Sequence, residues 1–562
     1  MQVAEVVVRI LESEGIQAAF GIPGAAINPV YEHLGTSKQI KHYLARHEEG
    51  AVHAADGYFR ASGRMALAIC TSGPGATNFV TGLYTAQIDS MPLIAITGQS
   101  VRAQLGREAF QCVDIAEIAR PVCKATWCAT EPYQVPFIMR EAFRVAKEGR
   151  PGPVLIDLPL DVQLADIPYD PQRDAPLPIA KLHPDRQQIA QAVEMLLDAE
   201  NPVLIMGGGV LLAGASQKFI EFAEHLSLPV ITTYMGTGGI PANHPLHVGH
   251  IGIQVGSPFG NRFFLGSDLV MGIGCRFGDR HTGKLDVYTR GRRFIHINVE
   301  SAHIGRIVPT ELGIVADAGL ALDALLEEVK ARTSVSDVLK PRTPSERVRN
   351  IPQDRAQLAR RTQYDQVPIK PQRVYQEMND YFGPDAIFTT GCGLTQIWSG
   401  QFQSIARPYT YLASGGAGTL GFDLPAAIGA KVARPEATVV AVMGDGGFGF
   451  MVEELAMACQ HQVPIVVIIV NNGYLSLIRQ NQRYAYEYEY GVDLTYDGLG
   501  VDFVRLAEAF GAYGERVMRP EDIRAAFERA TRSGKPAILD IIVERETDAA
   551  MGASLDAIRE FA

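Results

Sequence analysis

Residues 439–478 read VVAVMGDGGFGFMVEELAMACQHQVPIVVIIVNNGYLSLI, a stretch that leaves few folds open. Two apolar, β-branched runs, 438–443 and 464–470, enclose a helix-like segment at 453–461, the pattern of a βαβ unit buried in a parallel sheet. Each run ends in a small polar cluster, Gly444-Asp445-Gly446-Gly447 and Asn471-Asn472-Gly473. In a parallel sheet both ends fall at the same edge, so both clusters face one crevice.

That crevice suits a diphosphate held through a divalent cation. Glycines let backbone N–H groups approach phosphate, while Asp445 and Asn472 offer hard oxygen ligands for Mg²⁺. Glycine and Asn-Gly also punctuate ordinary turns after strands, so GDG alone says little. Here GDG and NN are separated by 24 residues and each follows a buried run, which resembles the signature of thiamine diphosphate enzymes. By that resemblance Asp445, Asn472 and the backbone carbonyl of Tyr474 hold the metal, and Gly444, Gly446, Gly447, Asn472, Tyr474 and Leu475 line the cofactor.

At 562 residues the chain exceeds a single core, and about 150 residues per domain predicts three or four domains. Apolar residues are 47% and charged residues 20%, as in ordinary globular proteins. A net charge of −11 lacks the basic footprint of a nucleic-acid binder. Seven cysteines without a C-x-x-C pair give neither a disulfide framework nor a zinc site, which points to a reducing cytoplasm. The N-terminal MQVAEVVVRILESEGIQAAF is interrupted by Glu5, Arg9, Glu12 and Glu14 and reads as a first helix, not a signal peptide. No run approaches the ~20 apolar residues of a membrane span.

Strand, glycine-bearing loop and helix alternate along most of the chain. Strands are expected at 18–22, 65–71, 93–98 and 154–158, then at 202–206, 229–232, 269–274 and 294–298. The proline-rich 166–184 and the polar, basic 331–371 are linker candidates. The expected architecture is α/β, three doubly wound parallel-sheet domains: a pyrimidine-binding domain at 1–165, a central FAD-binding-like domain at 185–330, a diphosphate- and Mg-binding domain at 372–545, and a tail at 546–562.

A second chemical motif is Ala45-Arg46-His47-Glu48-Glu49-Gly50 ahead of a helix. An arbitrary first-turn glutamate is usually there for the helix dipole. Beside thiamine diphosphate it gains a second use. The cofactor's aminopyrimidine removes the proton from its thiazolium carbon, and a carboxylate on the pyrimidine nitrogen promotes the imino form that serves as base.

ARHEEGAVHAADGYFRASG resembles the activating-glutamate segment of the acetohydroxyacid synthase group of thiamine diphosphate enzymes, with Glu48 on the catalytic position. The likeness extends through residues 19–29, 71–99, 109–115, 150–163, 272–283 and 415–430. Within the group, RFGDRHTG, VPIKPQRVYQEMN, NNGYLSLIRQNQR and MGASLDAIREF resemble the glyoxylate carboligase (tartronate-semialdehyde synthase) family. One residue departs from it: that family typically has valine at the place of Glu48, whereas glutamate is usual in acetohydroxyacid synthases.

The resemblance implies roles. Thr71, Pro74 and Asn78 line the pyrimidine pocket, and Leu420 is the apolar wedge that bends the cofactor. Phe110 and Gln111 are substrate-side residues contributed across a subunit interface. Leu477 and Ile478 border the substrate pocket. Arg280 meets the substrate carboxylate or a nearby flavin, and an unpaired guanidinium there would clamp a 2-oxo acid bidentately. In the central domain Gly207, Gly208, Gly209, Arg276, Asn298 and Asp317 fall on contact positions for a non-redox FAD. Taken alone, Gly207-Gly208-Gly209 lacks the third glycine of G-x-G-x-x-G, and Asn298 replaces a carboxylate common at its place.

The implied reaction is decarboxylative joining of two 2-oxo acids: two glyoxylates to tartronate semialdehyde and CO2, or, as alternative, two pyruvates to 2-acetolactate. Glu48 favours the alternative; Arg479-Gln480-Asn481-Gln482, where acetohydroxyacid synthases commonly place a tryptophan, opposes it. A non-catalytic regulatory paralogue is the remaining reading, opposed by the intact GDG, NN and Glu48. His47 and His281 are candidates for acid–base work. The family grips the two ends of one cofactor with different subunits, so the expected assembly is a homodimer at least, and a homotetramer by family habit.

Overall fold

The computed structural model describes residues 1–335, 344–498 and 500–560. Three six-stranded sheets succeed one another along the chain. The first contains β1 (Ala18–Gly21), β2 (Lys41–Leu44), β3 (Leu67–Cys70), β4 (Ile94–Gln99), β5 (Ala125–Cys128) and β6 (Val154–Pro159), in the order β2-β1-β3-β4-β6-β5. The second contains β7 (Pro202–Met206), β8 (Val230–Thr232), β9 (His247–His250), β10 (Leu269–Ile273), β11 (Arg293–Asn298) and β12 (Leu312–Val315), in the order β9-β8-β7-β10-β11-β12. The third contains β13 (Ile387–Thr390), β14 (Tyr411–Ala413), β15 (Val439–Gly444), β16 (Val466–Asn471), β17 (Tyr513–Val517) and β18 (Ala537–Ile542), in the order β14-β13-β15-β16-β18-β17. Every pairing in the three sheets is parallel.

The first and third sheets share one connectivity although their sequences do not repeat visibly. The middle sheet has the 3-2-1-4-5-6 order of dinucleotide-binding folds. Central strands such as β4, β15 and β16 are predominantly apolar and buried along nearly their whole length because helices cover both faces. In each sheet the order reverses beside an early strand, at β1/β3, β7/β10 and β13/β15, and loops at these switch points open a crevice.

Residues 167–184 carry no helix or strand. Part of the second expected linker, 336–343, lies outside the described residues, as do the last two residues of the tail; the rest of that linker includes short helices at Glu346–Arg349 and Ile351–Gln357. The tail forms a small antiparallel pair, Met551–Gly552 with Ile558–Arg559, and reaches the middle domain, where Gly552 N–H donates to Ile253 O and Lys284 N–H to Ala553 O. Among the described residues no helix is long and apolar enough to cross a membrane.

The first and third domains meet through two helices, Glu48–Ser62 and Asp423–Ala433. A Cβ at Gly57 would collide with Ala426 O and one at Gly429 with Ala54 O, so glycine lets the two backbones touch. A buried polar cluster reinforces this seam. Arg60 pairs with Asp56 and Asp89 and donates to Ala413 O at 2.7 Å, while Asp89 accepts from Gly415 N–H at 3.1 Å and Gly416 N–H at 2.8 Å.

Candidate active site

Glu48 opens its helix after His47, whose Nδ1 accepts from Glu49 N–H as an N-cap. Its carboxylate is half-buried. Asn78 Nδ2 donates to Glu48 Oε2 at 2.8 Å, and Oε1 lies 3.0 Å from where a Cβ on Gly75 would sit. Oε1 makes no hydrogen bond among the described residues. Thr71, at the end of β3, accepts from Ala26 N–H at 3.3 Å, and its side chain excludes any Cβ at Gly24. Gly73, at φ +64°, lies against Gln111, whose Cβ would be 2.7 Å from a Cβ there. Glu48, Thr71, Pro74, Asn78 and Gln111 therefore share one end of the first sheet. Phe110 beside them is 87% exposed, far more than a large aromatic ring needs to be.

In the third domain the backbone N–H of Asn472 donates to the Asp445 carboxyl, which burial pushes up to about 7. Asn472 Oδ1 and Tyr474 O both lie within reach of Ser476 Oγ, at 2.7 Å and 3.0 Å, while Asn472 Nδ2 is buried without a partner. Carboxylate, amide oxygen and carbonyl are thus brought together at the ends of two neighbouring parallel strands, β15 for Asp445 and β16 for Asn472 and Tyr474, an all-oxygen set suited to Mg²⁺, and a bound cation would compensate the buried Asp445 charge. The glycines divide by purpose. Beside Gly447 a Cβ would meet nothing within 4 Å and beside Gly444 only Thr395, so both backbones face open space. Gly446 is packed under side chains, since a Cβ would sit 2.8 Å from a terminal methyl of Leu475 and 3.1 Å from one of Leu494. Two guanidinium groups lie over the Tyr474 ring, Arg479 at 4.3 Å and Arg545 at 4.0 Å from its centroid.

Leu420 is half-buried, outside the hydrophobic core, on a loop turned by Gly418 and Gly421 at φ +62° and +83°. The first domain holds that loop: Thr85 Oγ1 and Thr419 Oγ1 are 2.6 Å apart, and Asp89 grips Gly415 and Gly416. Of the two pocket candidates, Leu477 packs against the core while Ile478 is 52% exposed.

Arg280 is not unpaired. Its Nε donates to Gln254 Oε1 at 2.5 Å and Nη2 to Gln396 Oε1 at 3.1 Å. Both partners are neutral amides, and among the described residues no carboxylate pairs with the Arg280 side chain, so the positive charge is oriented but uncompensated. His281 is partly buried and already engaged: Tyr288 OH is 2.9 Å from its Nε2, and desolvation lowers its pKa to about 3. His47 serves as helix cap.

In the middle domain Gly207 and Gly209 are required by the neighbouring loop, since a Cβ on either would strike Gly274, and Gly209 N–H donates to Gly274 O at 2.9 Å. A Cβ on Gly208 would sit 3.0 Å from Met235. Asn298 is buried and satisfied, donating to Cys275 O at 2.8 Å and accepting from Glu300 N–H at 2.9 Å. Asp317 caps the following helix through Leu320 N–H at 3.1 Å and pairs with Lys181. Arg276 has no hydrogen bond or ion pair among the described residues, and its charge helps lower the pKa values of Arg150 and His303.

Sequence reasoning missed Asp89, Thr85, Gln254, Gln396 and Glu454. Gly391-Cys392-Gly393 after β13 carried the one local signal available, a glycine pair closing a strand.

Comparison with known proteins adds the following. Three domain families match: thiamine pyrophosphate enzyme, N-terminal TPP binding domain, over residues 1–118; central domain, over 189–325; and C-terminal TPP binding domain, over 391–541. A glyoxylate carboligase of Escherichia coli is 45% identical over 574 residues, covering 100% of this chain and 96% of that protein. The acetolactate synthase large subunit of Corynebacterium glutamicum is 40% identical, covering 96% of this chain and 86% of that protein. A probable acetolactate synthase large subunit of Methanocaldococcus jannaschii is 38% identical, covering 97% and 92%.

Proposed function

The chain belongs to the thiamine pyrophosphate enzymes and is a thiamine diphosphate-dependent carboligase, and from that premise we propose that it joins two molecules of glyoxylate to tartronate semialdehyde with loss of CO2. The observation that carries the substrate is the 45% identity to a glyoxylate carboligase over the whole chain. Arg280 supports it, a guanidinium held by two amides and without a counter-ion, ready for a substrate carboxylate.

Thiamine diphosphate, when bound, supplies the carbon nucleophile and the electron sink that decarboxylation needs. This chain's residues do the rest. Asn78 fixes Glu48 Oε2, which leaves Oε1 free to share a proton with the ring nitrogen of a bound pyrimidine and so to favour its imino form. The open backbone beside Gly444 and Gly447 admits the diphosphate. Asp445, Asn472 and the Tyr474 carbonyl would hold Mg²⁺ against it. Leu420 presents an apolar side chain outside the core. Arg280 orients the carboxylate, and Ile478, Phe110 and Gln111 bound the substrate space.

Glu48 favours a second reading, acetolactate synthase, since glutamate is the residue its resembled group carries there. FAD outside any redox step belongs to the same proposal. Its support is the 3-2-1-4-5-6 strand order and the unpartnered Arg276; the satisfied Asn298 leaves a ribose without a free partner at that position. A homodimer is supported by the exposed Phe110 and by Glu48 and Asp445 standing in different domains without mutual contact; the tetramer and the cytoplasmic setting rest on the family resemblance and on cysteine usage.

Product analysis tests the reading. Purified enzyme with Mg²⁺, thiamine diphosphate and FAD is given glyoxylate, pyruvate, and both together. Tartronate semialdehyde dominates if the proposal holds; acetolactate as main product replaces the substrate while keeping the chemistry.

A further inference from the structure

The loop that delivers Glu48 is held by the domain that carries Asp445. Leu44, Arg46 and His47 lead into the Glu48 helix. Three of their backbone N–H groups donate to side chains of the third domain rather than to neighbours in their own sheet. Leu44 N–H donates to His461 Nε2 at 2.9 Å, Arg46 N–H to Glu454 Oε1 at 3.0 Å, and His47 N–H to the same Glu454 Oε1 at 2.8 Å. Arg46 Nη2 adds a bond to Gln460 Oε1 at 2.5 Å. All three acceptors sit on or beside the helix Glu454–Gln460, which follows the GDG turn.

Glu454 is the central contact. It is 0% exposed, both of its donors use one oxygen, and its Oε2 is buried without a partner. A buried carboxyl with a bare oxygen is costly, and general interdomain adhesion does not require one. Gly50, in the first turn of the Glu48 helix, is shaped around this side chain: a Cβ there would collide with Glu454 Oε1 and approach no other group within the distance of van der Waals contact more closely.

We propose that Glu454 is a positioning residue for Glu48: by accepting the N–H groups of Arg46 and His47 it fixes the direction in which the Glu48 helix starts, and thereby where the activating carboxylate points. This rests on the reading of Glu48 as the group that activates thiamine diphosphate. Glu48 Oε1 must meet one nitrogen of a bound ring, and a displacement of about 1 Å costs on the order of 100-fold in such arrangements.

The test follows exchange of the thiazolium C2 proton by NMR at saturating Mg²⁺ and thiamine diphosphate, together with amide exchange of Arg46 and His47 in the cofactor-free protein. Glu454→Ala slows C2 exchange about 10- to 100-fold and speeds both amides about tenfold or more. Glu454→Gln keeps an acceptor oxygen in place and stays within about threefold of wild type in both measurements. Gly50→Ala, which displaces Glu454 without removing it, slows C2 exchange in the same direction, and in a Glu454→Ala background it adds less than about twofold, since the collision is gone. Wild-type C2 exchange in Glu454→Ala overturns the proposal. So does a Glu454→Gln variant as slow as Glu454→Ala, or full additivity of the two substitutions. If Glu454→Ala does not fold, Gly50→Ala and Glu454→Gln carry the same decision. Glu48→Gln is measured in parallel: normal exchange there removes the role of Glu48 itself, whereas slow exchange there with normal exchange in Glu454→Ala removes only the role of Glu454.

Discussion

Asn78 Nδ2 donates to Glu48 Oε2 at 2.8 Å, joining the early turns of two helices that begin at the same edge of the first sheet. The bond orients one carboxylate oxygen and frees the other. Glu48→Gln keeps the Asn78 bond but turns the free acceptor into a donor. C2-proton exchange on bound thiamine diphosphate is expected to fall about 10²- to 10⁴-fold, while cofactor affinity changes little. Unchanged exchange rejects the assignment.

Asp445→Ala removes the one charged ligand from the Asp445, Asn472 and Tyr474 oxygens. Cofactor retention after gel filtration is expected to be lost, and EDTA is expected to strip cofactor from wild type but to change nothing further in the variant. A variant that still retains cofactor in a Mg²⁺-dependent way sinks the metal assignment.

Leu420 is half-buried, so its truncation separates a wedge from a core residue. Leu420→Ala is expected to cost less than about 1 kcal/mol in denaturant unfolding, against 2–5 kcal/mol for a core leucine, yet to slow C2 exchange about tenfold or more. A core-sized stability loss with normal exchange would return Leu420 to packing.

Arg280→Lys keeps the charge and loses the planar fork that Gln254 and Gln396 orient. We expect kcat/KM for the 2-oxo acid to drop about tenfold or more, mainly through KM. An unaltered KM would show that the substrate carboxylate is held elsewhere.

Burial pushes the Glu454 carboxyl up to about 7, above its value in the unfolded chain. A carboxyl whose folded-state value is raised contributes stability that is fully present below the unfolded value and is lost as pH rises through the folded one. Between about pH 4.5 and 7 wild type should therefore lose on the order of 1–3 kcal/mol that Glu454→Gln keeps. Thermal melts across that range check it: the difference in Tm should grow in favour of the variant as pH rises, and a constant difference would contradict a buried, neutral-favouring site.

Patterning alone identified the α/β class, the parallel sheets and the central strands β1, β3, β4, β6, β7, β8, β10, β11, β15 and β16, because strands covered on both faces are predominantly apolar. It missed the edge strands β2, β5, β9, β12, β14 and β17, and also the interior strands β13 (IFTT) and β18 (AILDII), whose apolar runs are short or broken by a polar residue. Edges are short and partly solvated, so sequences such as KHYL, ATWC and YGERV carry no continuous apolar run. The cofactor was legible because phosphate and metal binding use contiguous residues, GDG and NN, at strand ends. Relations between distant residues were not. That Gly446 serves Leu475 and Leu494, that Arg280 is held by Gln254 and Gln396, that Asp89 grips the Leu420 loop, and that Glu454 receives the N–H groups ahead of Glu48 are contacts between segments up to hundreds of positions apart. Local sequence sets which elements form and which chemistry their ends can carry; only the packing of three domains decides which of those ends meet and which side chain holds the reacting carboxylate in place.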